Sequence, residues 1–286
     1  MATGSPMVRR RRLGAELRTL RDRAGLTGDQ VIERVGWASA SKLSRIENGR
    51  TRPDLSDIFD LLDLYGVTGA DREKLIAIGR DAANTRGWWR SFAELGHRQR
   101  GYAELEAGVV ELRQYQQSVI PGLLQTPDYT RTRVLSELPI YGSLDVEAEV
   151  AARQARQALL TAADPPRYQA VIDEAALRRF VAPPEVMAAQ LARLVELSAL
   201  PAVTVRVLPL HARIGEYYVP HSSFSLYRFA DPEDPDVVVL ETVTSDLHLT
   251  DEEDVSRYRL LCDWLVAAAL PPEESVTFLA GLARQL

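Results

Sequence analysis

The stretch Gly25-Leu-Thr-Gly-Asp-Gln-Val-Ile-Glu-Arg-Val-Gly-Trp-Ala-Ser-Ala-Ser-Lys-Leu-Ser-Arg-Ile-Glu-Asn-Gly49 decides the fold of the first part of the chain. Thr27 is a helix N-cap, and Gln30 three residues on completes a capping box. Val31, Ile32 and Val35 recur at helical spacing until Gly36 ends the segment. Ser39 or Ser41 caps a second segment, with Leu43 and Ile46 as its apolar stripe and Gly49 as its stop. Two short helices around a tight turn predict a helix-turn-helix, whose second helix enters the DNA major groove.

Supporting helices flank this pair. Leu13, Leu17 and Leu20 form a stripe that Gly25 terminates. Asp54 or Ser56 opens a fourth helix with Leu55, Ile58, Phe59, Leu61 and Leu62 inward, and Asp71 opens a fifth with Leu75, Ile76 and Ile78. The expected layout is a disordered tail at 1–8, an all-α five-helix domain at 9–86, and an α+β domain with one small sheet at 87–286. The boundary falls near 84–87, ahead of Trp88 and Trp89, which read as domain packing or an aromatic clamp.

Charge follows the same division. Residues 1–52 carry 12 Lys/Arg and 5 Asp/Glu, a net of +7, while the remainder of this chain of net charge −6 carries −13. A basic head on an acidic body points the head, and not the body, at a polyanion. The single cysteine, Cys262, excludes an intrachain disulfide and a cysteine-based zinc site, which fits a reducing cytoplasm. The longest apolar run, from Trp264 to Leu270, is far below the roughly 20 residues of a membrane span. No apolar stretch follows Arg9 to Arg12, so no secretory signal is read there.

The third helix is read from Ser41 to Gly49. Its outer face carries Ser41, Lys42 and Arg45, the expected base-reading residues. Arg45 is the candidate for a bidentate contact to a guanine edge. Thr27, Ser39, Asn48, Arg50, Thr51 and Arg52 lie at helix ends and in the following loop, placed for phosphates.

Leu17-Arg-Thr-Leu-Arg21, Gly25-Leu-Thr27 and Ser39-Ala-Ser-Lys-Leu-Ser-Arg-Ile-Glu-Asn-Gly49 together resemble the Xre or phage-repressor helix-turn-helix family over about 70 residues. The resemblance implies a structural salt bridge between Arg21 and Glu47. Two departures stand out. Gly28 sits where the family often has glutamine, implying one phosphate contact fewer. The turn from Gly36 to Ser41 is one residue longer than usual.

Beyond the junction, helices are expected from Tyr129 and over 146–160, 174–180, 185–197, 251–269 and 272–286. Strands are expected at 168–173, 202–208, 222–229 and 237–240. Tyr102-Ala-Glu-Leu-Glu106, Pro121-Gly-Leu-Leu-Gln-Thr126, Arg153-Gln-Ala-Arg-Gln-Ala-Leu-Leu160, Val171-Ile-Asp-Glu-Ala-Ala-Leu177 and Val205-Arg-Val-Leu-Pro209 resemble the uncharacterised domain that follows an Xre-type head in many actinobacterial regulators. That resemblance implies a regulator, often encoded beside a small partner protein that modulates it.

The expected function is a dimeric, sequence-specific transcriptional regulator of double-stranded DNA, cytoplasmic and nucleoid-associated. A small partner protein or ligand would control it through the body. Two rivals are an antitoxin-like protein that neutralises a small partner, and an enzyme targeted by the head. No G-x-S-x-G, Walker-type loop or H-E-x-x-H is present, so no catalytic residue, cofactor or metal is assigned. His211 and His221 flank one loop but lack further ligands. Asp173 and Glu174 read as catalytic carboxylates at a strand end or, preferably, as a helix N-cap and its first-turn charge. Asp231-Pro-Glu-Asp-Pro-Asp236 reads as a solvated turn, and Arg153 with Arg156 as a solvent-facing pair.

Overall fold

The computed structural model describes residues 4–84, 96–142 and 145–286. The chain divides into two compact units. The first comprises Met1–Arg90, Gly101–Val109 and Phe229–Pro235; the second comprises Ser91–Arg100, Val110–Arg228 and Asp236–Leu286. The expected junction near Trp88 and Trp89 lies outside the described residues.

Up to residue 84 the described residues of the first unit form α1 (Pro6–Arg23), α2 (Gly28–Val35), α3 (Ala40–Glu47), α4 (Leu55–Leu64) and α5 (Gly69–Ala82). Leu13 and Leu17 of α1 meet Val31, Leu43, Ile46, Ile58 and Ile78 in one core. Each such buried side chain contributes roughly 1.5–3 kcal/mol by leaving water. The capping box at Thr27 is formed, and Asp54 caps α4 through the Ser56 amide. Helix α5 starts at Gly69 rather than at Asp71.

The expected disorder at 1–8 is overturned from Ser5 onward. Ser5 caps α1, Pro6 occupies its first turn, and Val8 is fully buried. The reason is tertiary. The Ser5 hydroxyl donates to the Glu104 carbonyl at 2.8 Å, and Arg10 pairs with the Glu104 carboxylate.

The acidic loop is likewise no solvated turn. Arg12, 7% exposed, donates through Nη1 to Asp231 at 3.0 Å and to Asp234 at 2.9 Å, and through Nη2 to Glu233. Arg9 lies 3.0 Å from both Asp231 and Asp234, and Lys74 pairs with Glu233. Burial raises the Asp234 carboxyl above its usual range, opposed by Arg12 and Arg9. At Asp231 burial acts the same way, but the Glu233 amide and Arg12 outweigh it and hold the carboxyl below its usual range.

The second unit is built on one mixed six-stranded sheet, larger than the small sheet expected, in the order β3-β2-β1-β4-β5-β6. The strands are β1 (Val109–Gln116), β2 (Arg167–Asp173), β3 (Val203–Leu208), β4 (Phe224–Phe229), β5 (Val237–Glu241) and β6 (Asp246–Leu249). β1, β2 and β3 run parallel, and β4, β5 and β6 form an antiparallel run. A helix, α6 (His97–Glu106), precedes β1. The β1–β2 crossover carries α7 (Pro127–Tyr141) and α8 (Val146–Gln157); the β2–β3 crossover carries α9 (Glu174–Arg178) and α10 (Pro184–Leu197). α11 (Glu252–Ala268) and α12 (Pro272–Ala283) close the chain.

Breaking a buried ion pair from one side leaves an uncompensated charge, which costs about 3–5 kcal/mol. Asp234→Ala is therefore expected to lower stability by about 3 kcal/mol, since Asp231 still faces Arg12. Glu233→Ala, at a half-exposed carboxylate, should cost about 1 kcal/mol or less. Denaturant unfolding of the two variants checks the ranking, and equal losses would refute it.

Candidate nucleic-acid interface

Helix α3 is placed by two close approaches and one ion pair. A Cβ on Gly14 of α1 would stand 2.5 Å from the Glu47 carbonyl oxygen and 2.6 Å from that of Ile46, so only glycine lets α1 cross the end of α3 at this distance. Gly49 follows α3 with φ +62, and its Cβ would meet the Arg11 backbone at 2.8 Å. Arg21 then grips Glu47 bidentately, Nε to Oε1 at 2.7 Å and Nη2 to Oε2 at 3.2 Å, and its Nη1 donates to the Leu26 carbonyl at 3.0 Å. The hydrogen bonds with Glu47 hold the Arg21 guanidinium above its ordinary value, against a smaller effect of burial. The salt bridge that the resemblance implies is present.

The helix begins at Ala40, capped by Ser39, which accepts from the Ser41 amide at 3.2 Å. Of the three expected base readers, Ser41 and Arg45 lie exposed, and Arg45 donates to the Ser41 hydroxyl at 3.1 Å. Lys42 corrects the expectation. Its ammonium is already engaged: it pairs with the mostly buried Asp57 and sits 4.3 Å from the centre of the Trp37 ring, with the side chain 38% exposed. The i, i+1, i+4 reading treated neighbours 41 and 42 as one face, whereas they stand about 100° apart around the axis. Ser44, exposed beside Arg45, takes the place on that face; its i+3 spacing from Ser41 was the available signal.

The expected phosphate contacts sit around this face. Thr27 and Ser39 are exposed helix caps; the Thr27 hydroxyl accepts from the Gln30 amide and keeps its hydrogen for an outward acceptor, while the Ser39 hydroxyl shares a hydrogen bond of 2.7 Å with that of Ser41. Asn48 is exposed but already engaged: it donates to the Ser44 carbonyl at 2.7 Å and accepts from Arg18 at 2.9 Å. Arg50 and Arg52 are exposed in the following loop, and Thr51 is half-buried. The Arg9 to Arg12 run contributes less cation than its sequence suggests, because acids of the same unit take up Arg9, Arg10 and Arg12.

Residues 12–75 match a family model described as a helix-turn-helix domain, and residues 99–281 match one described as a domain of unknown function, DUF5753. The chain belongs to the DUF5753 family. Neither a curated protein nor a solved structure matches it. A helix-turn-helix domain on these side chains makes the chain a DNA-binding regulator.

Within the DUF5753 portion, the residues considered for chemistry have structural partners. Asp173 caps α9 through the Ala175 amide at 2.9 Å and accepts from the Tyr115 hydroxyl at 3.3 Å. Glu174 is buried and accepts from Arg178 and from the Leu210 amide at 3.0 Å. Burial would raise its carboxyl, but the Leu210 amide and Arg178 hold it below its usual range. Arg153 and Arg156 are not solvent-facing. They donate to Gln125 at 2.8 Å and to Gln99 at 2.6 Å, beside glutamines that fasten the Pro121–Thr126 segment. Burial pushes the Cys262 thiol up to about 12, which keeps it protonated. No helix among the described residues is long and apolar enough to cross a membrane.

Lys42→Ala is expected to lower stability by about 1 kcal/mol, since Asp57 loses its partner, and to leave base preference unchanged. Selection of binding sites from random DNA checks this. A base position that loses its preference in the variant would put Lys42 in the groove after all.

Proposed function

We propose that the chain is a sequence-specific transcriptional regulator of the Xre type, which binds two half-sites as a homodimer. Its DUF5753 portion acts as the dimerisation and control domain, addressed by a small partner protein or ligand, and not as an enzyme. The protein works in the cytoplasm on the nucleoid. The observation that carries the reading is the outer face of α3, where Ser41, Ser44 and Arg45 stand exposed on a helix fixed from behind by Gly14, Gly49 and Arg21–Glu47. A rigid helix with a short polar and cationic face suits insertion into a groove about 12 Å wide.

Mechanistically, Thr27, Ser39, Arg50, Thr51 and Arg52 hold phosphates and set the register, while Arg45 reads a base edge. One α3 reads only a few base pairs, so operator-length specificity needs two heads about 34–36 Å apart. The structural engagement of Asp173, Glu174, Arg153 and Arg156 supports a binding role for the DUF5753 portion.

Arg45→Ala should weaken the specific complex by roughly 1–3 kcal/mol and relax preference at one base position, with random-sequence binding nearly unchanged. Quantitative footprinting on the selected operator and on scrambled DNA measures both. Equal weakening on the two DNAs would make Arg45 a phosphate contact. Sedimentation at micromolar concentration tests the dimer, and a monomer there would overturn that part.

A further inference from the structure

The open edge of β3 bears backbone hydrogen-bonding groups that nothing in the chain completes. In a parallel ladder the N–H and C=O of one residue point to the same side, and alternate residues point to opposite sides. The Ala202 carbonyl accepts from Tyr168 of β2 at 2.8 Å, so residues of even number in β3 face β2. Val207 faces away: its N–H donates to the Ser275 hydroxyl at 3.0 Å, and its C=O accepts from Leu270 at 2.8 Å. Val205, two residues earlier, therefore also turns its N–H and C=O outward. Among the described residues no donor or acceptor meets them there. Val203 turns its N–H into the Leu200 carbonyl, which leaves its own C=O on the same open side.

These groups border a groove of about 300 Å³ formed by Ser198, Val203 to Val205, Pro272, Glu273 and Val276. Val205 is only 1% exposed, so its peptide groups lie deep and bulk water serves them poorly. A buried N–H and C=O pair on a strand edge is matched by one chemistry above others, the backbone of an extended peptide. The rim carries the exposed carboxylate of Glu273, with Glu274 next to it in the first turn of α12 and no basic residue among the lining. Pro272 and Val276 offer an apolar wall.

We propose that this groove receives an extended segment of a partner protein, a β-branched residue flanked by Lys or Arg, which adds as a short strand to the edge of β3 at Val203–Val205. This deepens the reading of the DUF5753 portion as a control domain and rests on its being addressed by a protein. It does not depend on which DNA the head recognises.

The test uses the full-length protein, ¹⁵N-labelled, with the peptide acetyl-Lys-Val-Lys-Val-Lys-amide as the probe. The Val205 amide should exchange with solvent faster than that of Val207 in the free protein, and saturating peptide should slow it by at least about tenfold. The same peptide N-methylated at both valines should give no protection. Glu273→Lys, on an exposed site, should weaken peptide binding at least about fivefold, with the melting temperature lowered only slightly by the loss of an acid from the first turn of α12. Operator binding by Glu273→Lys, measured in parallel, should equal wild type. A failure of the DNA reading would show there without touching the amide readout. The proposal is overturned if Val205 is as protected as Val207 without peptide, or if the N-methylated peptide protects equally. It is also overturned if protection appears only as protein concentration rises, which would make the occupant a second copy of the chain.

Discussion

The ion cluster of Arg9 and Arg12 with Asp231 and Asp234 is the constraint on which the first unit turns. Arg9, Arg12 and Asp234 are largely withdrawn from water at the N-terminal half of α1, the Asp234 side chain being 1% exposed, while Asp231 stays partly exposed beside them. Such a cluster adds little net stability over an apolar equivalent, because desolvation offsets most of the attraction. What it does supply is specificity. Arg12 has a low-energy place only when residues 231–234 are beside it, so the acidic loop and α1 must be present together. The same holds at the start of the helix, where buried Ser5 and Val8 need Glu104. The compact unit that carries the helix-turn-helix thus draws on three separate stretches of chain.

From α1 the constraint passes to the DNA-facing helix by contact alone. Gly14 and Gly49 bring the two backbones closer than any side chain would permit, and Arg21 locks Glu47 from the other side. Interiors this tightly packed transmit displacement and do not absorb it. A change in the position of α1 is therefore a change in the position of α3. Ser41 and Arg45, which have few fixed partners of their own, move with it.

Much of this was legible in the sequence, and apart from the helical phase of Lys42 the failures share one cause. The two short helices, their caps at Thr27 and Asp54 and the outward Arg45 follow from local signals: glycine stops, a capping box and helical spacing. β3 and β4 are legible from their strand alternation. β1 is not, although it lies inside the sheet. Glu111, Arg113, Gln114 and Gln116 give it a polar look, and their partners are remote: Glu111 pairs with Arg228 at 2.7 Å, and Gln114 bonds Ser225 and Tyr168. The same remoteness hid the pairing of Arg12 with Asp234 and of Arg153 with Gln125. Charge counted along a sequence overstates free charge wherever partners lie far away in the chain. The basic head carries +7 on paper, yet three of its arginines are spent on acids of its own unit.

The same arrangement bears on the control proposed for the DUF5753 portion. The family match at 99–281 contains both 101–109 and 229–235, yet these stretches pack with the helix-turn-helix. Residues 229–235 are the connection between β4 and β5, so the sheet and the acidic loop are covalently continuous at both ends. Within the first unit that connection holds Arg12 through Asp231, Glu233 and Asp234. A binding partner biases DNA affinity through such a link only by the difference in its own affinity for the two arrangements. About 1.4 kcal/mol of that difference suffices for a tenfold change at the operator, less than the cost of unpairing one buried charge.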